Sequence, residues 1–563
     1  MSGFFSKARI LAEPGFNRWR IPPASVAIHL CIGSVYAWSI FNPPLMRLKG
    51  VVASAPGDWS LSQVTGIYMV AIAVLGLAAA FAGRWMEQVG PRTVGIVAGV
   101  CWGAGFLVGW AGIHWHQLWL LYLGYGVIGG CGLGLGYVSP VSTLIRWFPD
   151  RRGMATGMAI MGFGGGAVIA APLNEYLIHR FSQQPRYLGA LETVPLITKS
   201  GKRFATQEGR TREVVVVGAN EATKDVRPGV YLAGTGRAGI AEAFLVLGAG
   251  YFLVILIAAS TYRLPAPGWK PAGWSPPDAQ SPERQMITRR NVGINEALLT
   301  PQFYLLWVML CLNVTAGIGV LGVAKTMITE IFGTTLPRIV DSRFAAMYVL
   351  MMSLFNMAGR FFWASVSDYL GRKTTYTIFF SCGMLLYCSV PFAAYQVSVS
   401  PHVTWLICFY AATMLIFTMY GGGFATIPAY LADLFGTRFV GGIHGRLLTA
   451  WSTAGVAGPL VITALREASL RRAIDNLAHT VDPAKFSAAF GAPLTELNQL
   501  VAQKTVTIAK LMEIAPPGIV NPSSTLYNTT MYLMAGLLGI ALIANWCVRP
   551  VDPRHYLEDD AAG

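Results

Sequence analysis

The chain contains nearly the same hydrophobic unit twice. The segment Gly83-Arg84-Trp85-Met86-Glu87-Gln88-Val89-Gly90-Pro91-Arg92 lies between two apolar stretches, and Ala364-Ser365-Val366-Ser367-Asp368-Tyr369-Leu370-Gly371-Arg372-Lys373 lies between two others. Glu87 aligns with Asp368, Gly90 with Gly371 and Arg92 with Lys373 at one constant offset, 368 − 87 = 281. Phe148-Pro149-Asp150-Arg151 recurs as Phe435-Gly436-Thr437-Arg438 (438 − 151 = 287), and Pro172-Leu173 as Pro459-Leu460 (459 − 172 = 287). Both offsets are close to half of the 563 residues. The fold must therefore seat two copies of one unit as pseudo-equivalents.

Those units belong in a bilayer. Hydrophobic residues make up 54% of the chain and charged residues 12%, against about 25% charged in soluble proteins. Twelve stretches are long and apolar enough to cross as helices: 22–45, 60–83, 93–113, 116–145, 153–178, 238–262, 302–332, 341–365, 374–397, 402–432, 440–465 and 524–548. The expected fold is an all-α membrane protein of twelve transmembrane helices in two pseudo-symmetric six-helix halves. Residues 1–262 form the first half, 263–301 a Pro- and Arg-rich linker, 302–548 the second half and 549–563 a tail. A duplicated polytopic bundle of this kind is the usual plan of a secondary transporter, which holds its substrate between the repeats.

Two insertions interrupt the plan at equivalent places, 179–237 between helices 5 and 6 and 466–523 between helices 11 and 12. The first carries Arg212-Glu213-Val214-Val215-Val216-Val217 and Pro228-Gly229-Val230-Tyr231-Leu232, which predict short strands joined by turns. The second is more helical. Together they form either a small extracytoplasmic cap or simple surface insertions.

Charge fixes an expected orientation. Arg18 and Arg20, Arg84 and Arg92, Arg146, Arg151 and Arg152, and Arg372 and Lys373 all fall in short loops on one side. The positive-inside rule makes that side, and both termini, cytoplasmic. The net charge of +15 restates this loop basicity and does not point to nucleic acid. Residues 1–20 lack the apolar core and cleavage site of a signal peptide. The eight cysteines lie in or at the ends of apolar spans, so no disulfide framework is expected. No His-Glu-x-x-His, nucleophile elbow or Cys/His cluster is present, and Gly130-Cys131-Gly132-Leu133-Gly134 lacks the third glycine and preceding strand of a dinucleotide loop. No enzyme activity, cofactor or metal is expected. Gly95, Gly99 and Gly103 recur every four residues, as do Gly132 with Gly136 and Gly153 with Gly157, which suits close helix packing in lipid.

The repeated loop has a mechanical use. Glu87 or Asp368 ends one helix, Gly90 or Gly371 permits a tight turn, and Arg92 or Lys373 starts the next. Acid and base together can clamp helix ends and release them when the halves rock, which makes these four residues gating candidates. The plain alternative is loop charge obeying the orientation rule.

This arrangement resembles the major facilitator superfamily over all twelve spans. The string Gly421-Gly422-Gly423-Phe424-Ala425-Thr426-Ile427-Pro428-Ala429-Tyr430-Leu431-Ala432-Asp433-Leu434-Phe435-Gly436, with His444-Gly445-Arg446 and Thr449-Ala450-Trp451, resembles the oxalate/formate antiporter branch. So does Ile28-His29-Leu30-Cys31-Ile32-Gly33-Ser34-Val35-Tyr36-Ala37-Trp38-Ser39. The resemblance extends to the related monocarboxylate carriers. It implies a secondary transporter of small organic anions such as formate, oxalate, lactate or pyruvate, working by alternating access as a monomer in a bacterial inner membrane. Anion exchange is the first expectation and proton-coupled symport the alternative. A non-transporting receptor that uses the insertions is the reading from another class.

Arg360 leads the candidate substrate site. It lies in Asn356-Met357-Ala358-Gly359-Arg360-Phe361-Phe362-Trp363, eight residues before Asp368 and so about 12 Å inside it. An arginine at a helix centre costs about 2.5–3.5 kcal/mol on insertion scales and is normally directed at a polar cavity. Its planar fork can take a carboxylate bidentately. The resemblance implies the same role, since the branch has its anion-binding arginine there; the plain alternative is pairing with Asp368 or helix-end carbonyls. Oxalate carriers of the branch have a lysine on span eleven where this chain has Trp451, which favours a monocarboxylate. Proton-coupled monocarboxylate carriers have an aspartate where this chain has Asn356, which cannot carry a proton. Lys325 on span seven offers a second cation, or else snorkels or pairs with Glu330. His29 and Glu175 are candidate proton sites, with packing and interfacial alternatives. Tyr36 and Tyr420 are candidate hydroxyl donors to a carboxylate. His444 and Arg446 are expected at the cytoplasmic mouth.

Overall fold

The computed structural model describes residues 10–199, 202–207, 210–218, 226–274, 286–502 and 506–558. Residues 1–9, part of the linker (275–285), parts of both insertions and the last five tail residues lie outside that set. Among the described residues are twelve helices long and apolar enough to cross a membrane: α1 Arg18–Leu45, α2 Leu61–Val89, α3 Pro91–His114, α4 Leu118–Trp147, α5 Arg152–Phe181, α6 Ile240–Ser260, α7 Pro301–Phe332, α8 Arg343–Leu370, α9 Arg372–Val399, α10 Val403–Phe435, α11 Val440–Thr480 and α12 Pro522–Cys547. This is the expected all-α plan.

Local chemistry starts and stops these helices. Ser60 and Gln63 form a reciprocal capping box at the start of α2. The Asp341 carboxylate accepts from the Phe344 amide at the start of α8. Pro91 and Pro301 occupy first helical positions, where a missing N–H is harmless. Gly90 (φ 86°) and Gly371 (φ 82°) break α2 from α3 and α8 from α9 in a conformation that side chains with a Cβ avoid. The duplicated motif is therefore a helix–glycine–helix turn in both copies. Helix α11 runs to Thr480, beyond the expected end at 465, because Ala464 to Thr480 loses hydropathy but keeps strong helix formers. Two spans are locally irregular: Ser34–Phe41 of α1 is a 3-10 helix and Tyr122–Gly129 of α4 a π-helix. They meet where the Trp38 and Tyr125 rings pack at 4.4 Å between centroids, tilted by 44°.

The chain divides into two compact units. The first contains residues up to 297 with 431–452 and the tail from 552. Within it, α3 and α6 meet along the four-residue glycine repeat: a Cβ on Gly95, Gly99 or Gly103 would lie 2.9 Å from Ala259, Ile255 or Phe252 respectively. Gly33 of α1 lies against the backbone of Phe163 on α5, and Gly83 of α2 against Gly442. The Ser452 hydroxyl donates to the Ile72 carbonyl at 2.6 Å. Residues 440–452 thus pack along α2.

The first insertion belongs to this unit and forms a five-stranded antiparallel sheet in the order β1-β5-β4-β3-β2. Its strands are β1 Tyr187–Gly189, β2 Leu196–Lys199, β3 Lys202–Gln207, β4 Arg210–Val217 and β5 Gly229–Leu232. The period of two sends Val215, Val217 and Tyr231 against Ala55, while Val214, Val230 and Leu232 pack with Ala205. Strands β4 and β5 are the two expected; β2 and β3 carry no apolar alternation to reveal them.

The second unit contains 298–430 and 453–551. Gly359 of α8 lies against Thr418 of α10, and Gly319 of α7 against Ile462 of α11. The Tyr376 hydroxyl of α9 donates to the Gly423 carbonyl. Its insertion is helical, with Pro483–Phe490 and Ile508–Ile514 burying Phe486 and Leu511.

Gly33→Ala should destabilise by roughly 1–3 kcal/mol, the usual cost of overpacking a tight contact. Gly250→Ala, which would meet nothing within 4 Å, should be neutral. Thermal melting of the two purified variants in one detergent checks this.

Candidate functional site

In the second unit the sequence-predicted cation is fully buried: Arg360 has 0% exposure and Asn356 5%. Four residues apart, they share a helix face, and the Arg360 Nε donates to the Asn356 Oδ1 at 3.2 Å. The guanidinium carbon stands 5.3 Å from the centre of the Phe424 ring, a cation–π geometry. The run Gly421-Gly422-Gly423 makes this possible. A side chain at 421 would strike the Asn356 backbone and Arg360, and one at 422 would strike Trp363. On the flank of α10 at Gly423 lies Asn313 of α7, 6% exposed, whose Nδ2 has no hydrogen-bond acceptor among the described residues. Thr426 is fully buried. Tyr420 is brought to Gly317, where its ring covers the α7 backbone.

In the first unit four aromatic rings form a box. Tyr36 and Phe163 lie 5.2 Å apart edge to face, Phe163 and Trp451 5.3 Å, Tyr137 and Phe163 5.2 Å, and Tyr137 and Trp451 5.6 Å. Trp451 also faces Tyr36 at 6.5 Å. The sequence-predicted Tyr36 and Trp451 are thus brought together, and Tyr137 and Phe163, which had no sequence signal beyond aromaticity, complete the set. His29 lies beside it, with Nδ1 2.6 Å from the Ala159 carbonyl oxygen and Nε2 3.2 Å from that of Tyr137. His444 is 1% exposed, 5.8 Å from the Tyr137 ring. It is a buried residue, not the mouth residue expected, because 440–447 packs tightly on α2.

The motif charges take partners outside their own motif pair. Glu87 binds Arg146 at 2.6 Å, and Arg92 is buried and donates to the Tyr262 carbonyl at 3.0 Å. Asp368 binds Arg372 at 2.7 Å, and Lys373 donates to the carbonyls of Trp546 and Val548 at 2.9 and 2.8 Å. These contacts tie neighbouring helix ends. More pairs gather at this end of the first unit. Arg18 binds Asp150 with two bonds of 2.6 and 2.9 Å, and Arg152 binds Asp433 at 2.9 Å. Arg446 is part-exposed and donates to the Ile294 carbonyl and the Asn295 side chain at 2.8 and 2.7 Å.

Lys325 and Glu175 are both exposed. Glu330, the suggested partner of Lys325, is bound instead by Arg466 of α11, which reaches it with Nε and Nη2. The Tyr527 hydroxyl accepts from Arg466 Nε at 2.9 Å and donates to Glu330 at 2.6 Å, closing a three-residue ring. Sequence reasoning missed Arg466 because it falls just past the apolar part of its span.

The profile of the Major Facilitator Superfamily matches residues 25–197 and 229–459. The oxalate:formate antiporter of Oxalobacter formigenes is 25% identical, over 78% of this chain and 83% of that protein. The apicoplast pyruvate carrier 1 of Toxoplasma gondii is 25% identical, over 75% and 78%. Among solved structures, a bacterial homologue of the iron transporter ferroportin in an outward-facing state superposes with a TM-score of 0.53 at 10% identity, covering 93% of this chain and 98% of the other.

The Glu330–Arg466–Tyr527 ring should behave as one coupled unit. In a double-mutant cycle, Glu330→Ala and Arg466→Ala together should cost less than the sum of the single losses, with a coupling energy of about 0.5–3 kcal/mol. Melting of the three variants measures it.

Proposed function

Because the chain belongs to the Major Facilitator Superfamily, we propose that it is a secondary transporter of small carboxylates, working by alternating access, with Arg360 as the residue that binds the anion. The observation that carries this reading is a guanidinium buried completely in an apolar helix, held by a neutral amide and an aromatic face. A guanidinium is a planar fork of donors whose geometry matches a carboxylate. The similarity to an oxalate:formate antiporter and to a pyruvate carrier supports a small carboxylate. Empty reorientation would carry a buried cation without its anion, which desolvation opposes; exchange of one anion for another follows. Trp451, where the oxalate carriers of the branch have a lysine, favours a monocarboxylate over oxalate.

One observation supports proton-coupled symport as a second reading. Both His29 nitrogens face carbonyl oxygens. A neutral imidazole can donate to one of them, and a protonated one to both. In either mode the two six-helix repeats act as the moving bodies. The Glu87–Arg146 pair acts as a gating contact at the end expected to face the cytoplasm, with the protein in the inner membrane.

The test is uptake of labelled formate, oxalate, lactate and pyruvate into proteoliposomes, with and without unlabelled anion inside. Uptake that requires internal anion and ignores an imposed pH gradient establishes exchange; uptake into empty vesicles driven by the gradient establishes symport. Arg360→Ala should abolish uptake of every anion while leaving expression and melting near wild type, and retained uptake sinks the binding role. Trp451→Lys should raise the preference for oxalate over formate, read as the ratio of their inhibition constants.

A further inference from the structure

An open groove of about 810 Å³ runs between the start of α1 and the end of α6, at the end of the first unit that carries Gly90. Phe16, Pro23, Leu256 and Ile257 line it, and Arg20 and Arg263 stand in it as well. Two features set its depth in a bilayer. Ile257 is 66% exposed on an apolar spanning helix, so this wall meets acyl chains. Beside it Trp19 is 50% exposed and packs 5.0 Å from the buried Phe148 ring. An exposed tryptophan at the end of an apolar span marks the headgroup level. The groove is thus apolar where acyl chains lie and cationic where phosphates lie.

The charge there is uncompensated. Arg18, one turn away, is neutralised by Asp150. Neither Arg20 nor Arg263 has a carboxylate within ion-pair distance among the described residues; Arg263 Nη1 reaches only the Tyr262 carbonyl at 3.0 Å. Trp147 Nε1 donates to the Arg263 carbonyl at 2.8 Å, which fixes that residue's backbone at the rim. An apolar trough ending in two arginines is complementary to one class of molecule that both fills it and supplies the missing charge. We propose that this groove is a binding site for an anionic phospholipid, whose phosphate is held by Arg20 and Arg263 and whose acyl chain lies along Leu256 and Ile257. A zwitterionic lipid brings its own cation to the same place and binds less well. The site lies on the lipid-facing surface and is independent of the substrate assigned to Arg360.

Native mass spectrometry of the full-length protein, titrated in detergent with phosphatidylglycerol or phosphatidylcholine of matched chains, tests it. The wild type should retain phosphatidylglycerol preferentially. Each arginine near a membrane surface contributes about fivefold to anionic-lipid binding, so Arg20→Gln with Arg263→Gln should reduce the preference roughly 25-fold, while Arg203→Gln, on the exposed sheet, leaves it intact. Thr261→Trp, which fills the groove and keeps both charges, should also weaken retention, and it decides the matter where the double variant melts early. Equal retention of the two lipids by the wild type overturns the proposal, as does an unchanged preference in both groove variants. Displacement of the bound lipid by millimolar inorganic phosphate would assign the arginines to a free anion and overturn the lipid site.

Discussion

Contact between glycines and the backbones of neighbouring helices is the constraint on which this structure rests. A bilayer forces backbone hydrogen bonds inside each helix and removes the hydrophobic difference between helix and solvent that would press helices together. What remains is dispersion, and it needs close approach. The chain supplies it where Gly33 meets Phe163, Gly83 meets Gly442, Gly359 meets Thr418, and along the Gly95-Gly99-Gly103 stripe. The same device serves chemistry: the glycine run at 421–423 brings α10 close enough to α8 for Arg360 to lie over Phe424.

Against this apolar frame the charges separate into two populations. Most sit at helix ends in partly exposed pairs such as Arg18 with Asp150 and Glu87 with Arg146, where water reaches them and their net worth is small. Arg360 is different. It is buried in mid-helix at the insertion cost of a central arginine, with an amide and an aromatic ring against it.

The sequence made the frame legible because its signals are long and redundant: apolar spans, a constant repeat offset, and glycine turns that both adopt positive φ. Arg360 was legible for the same reason, as a charge that breaks an apolar run. The aromatic box was only half legible. Tyr36 and Trp451 stood out within recognisable strings, but Tyr137 and Phe163 are aromatics among many, and only helix packing selects them. Partner choice was the least legible level. Glu330 joins Arg466, which lies 136 residues away, and not Lys325 five residues away, because i and i+5 point to different faces of a helix while α7 and α11 are neighbours.

The end of the first unit that carries Gly90 shows how such pairs are used. Residues 288–292 of the linker bond to Asp433 and Phe435, the Asn291 side chain accepts from the Arg438 amide, and the Asn291 carbonyl accepts from the Leu557 amide of the tail. His555 of that tail reaches Glu296 at 2.7 Å. Linker, 431–452 segment and tail are therefore joined by many modest bonds, none of which is a deeply buried ion pair. Under the proposed cycle this distribution matters. A contact that must open and close thousands of times cannot be a buried pair whose separation costs several kcal/mol. Half-exposed pairs and glycine contacts exchange with water and lipid at small net cost, so the fold can hold 431–452 against α2 firmly enough to define a state and loosely enough to leave it.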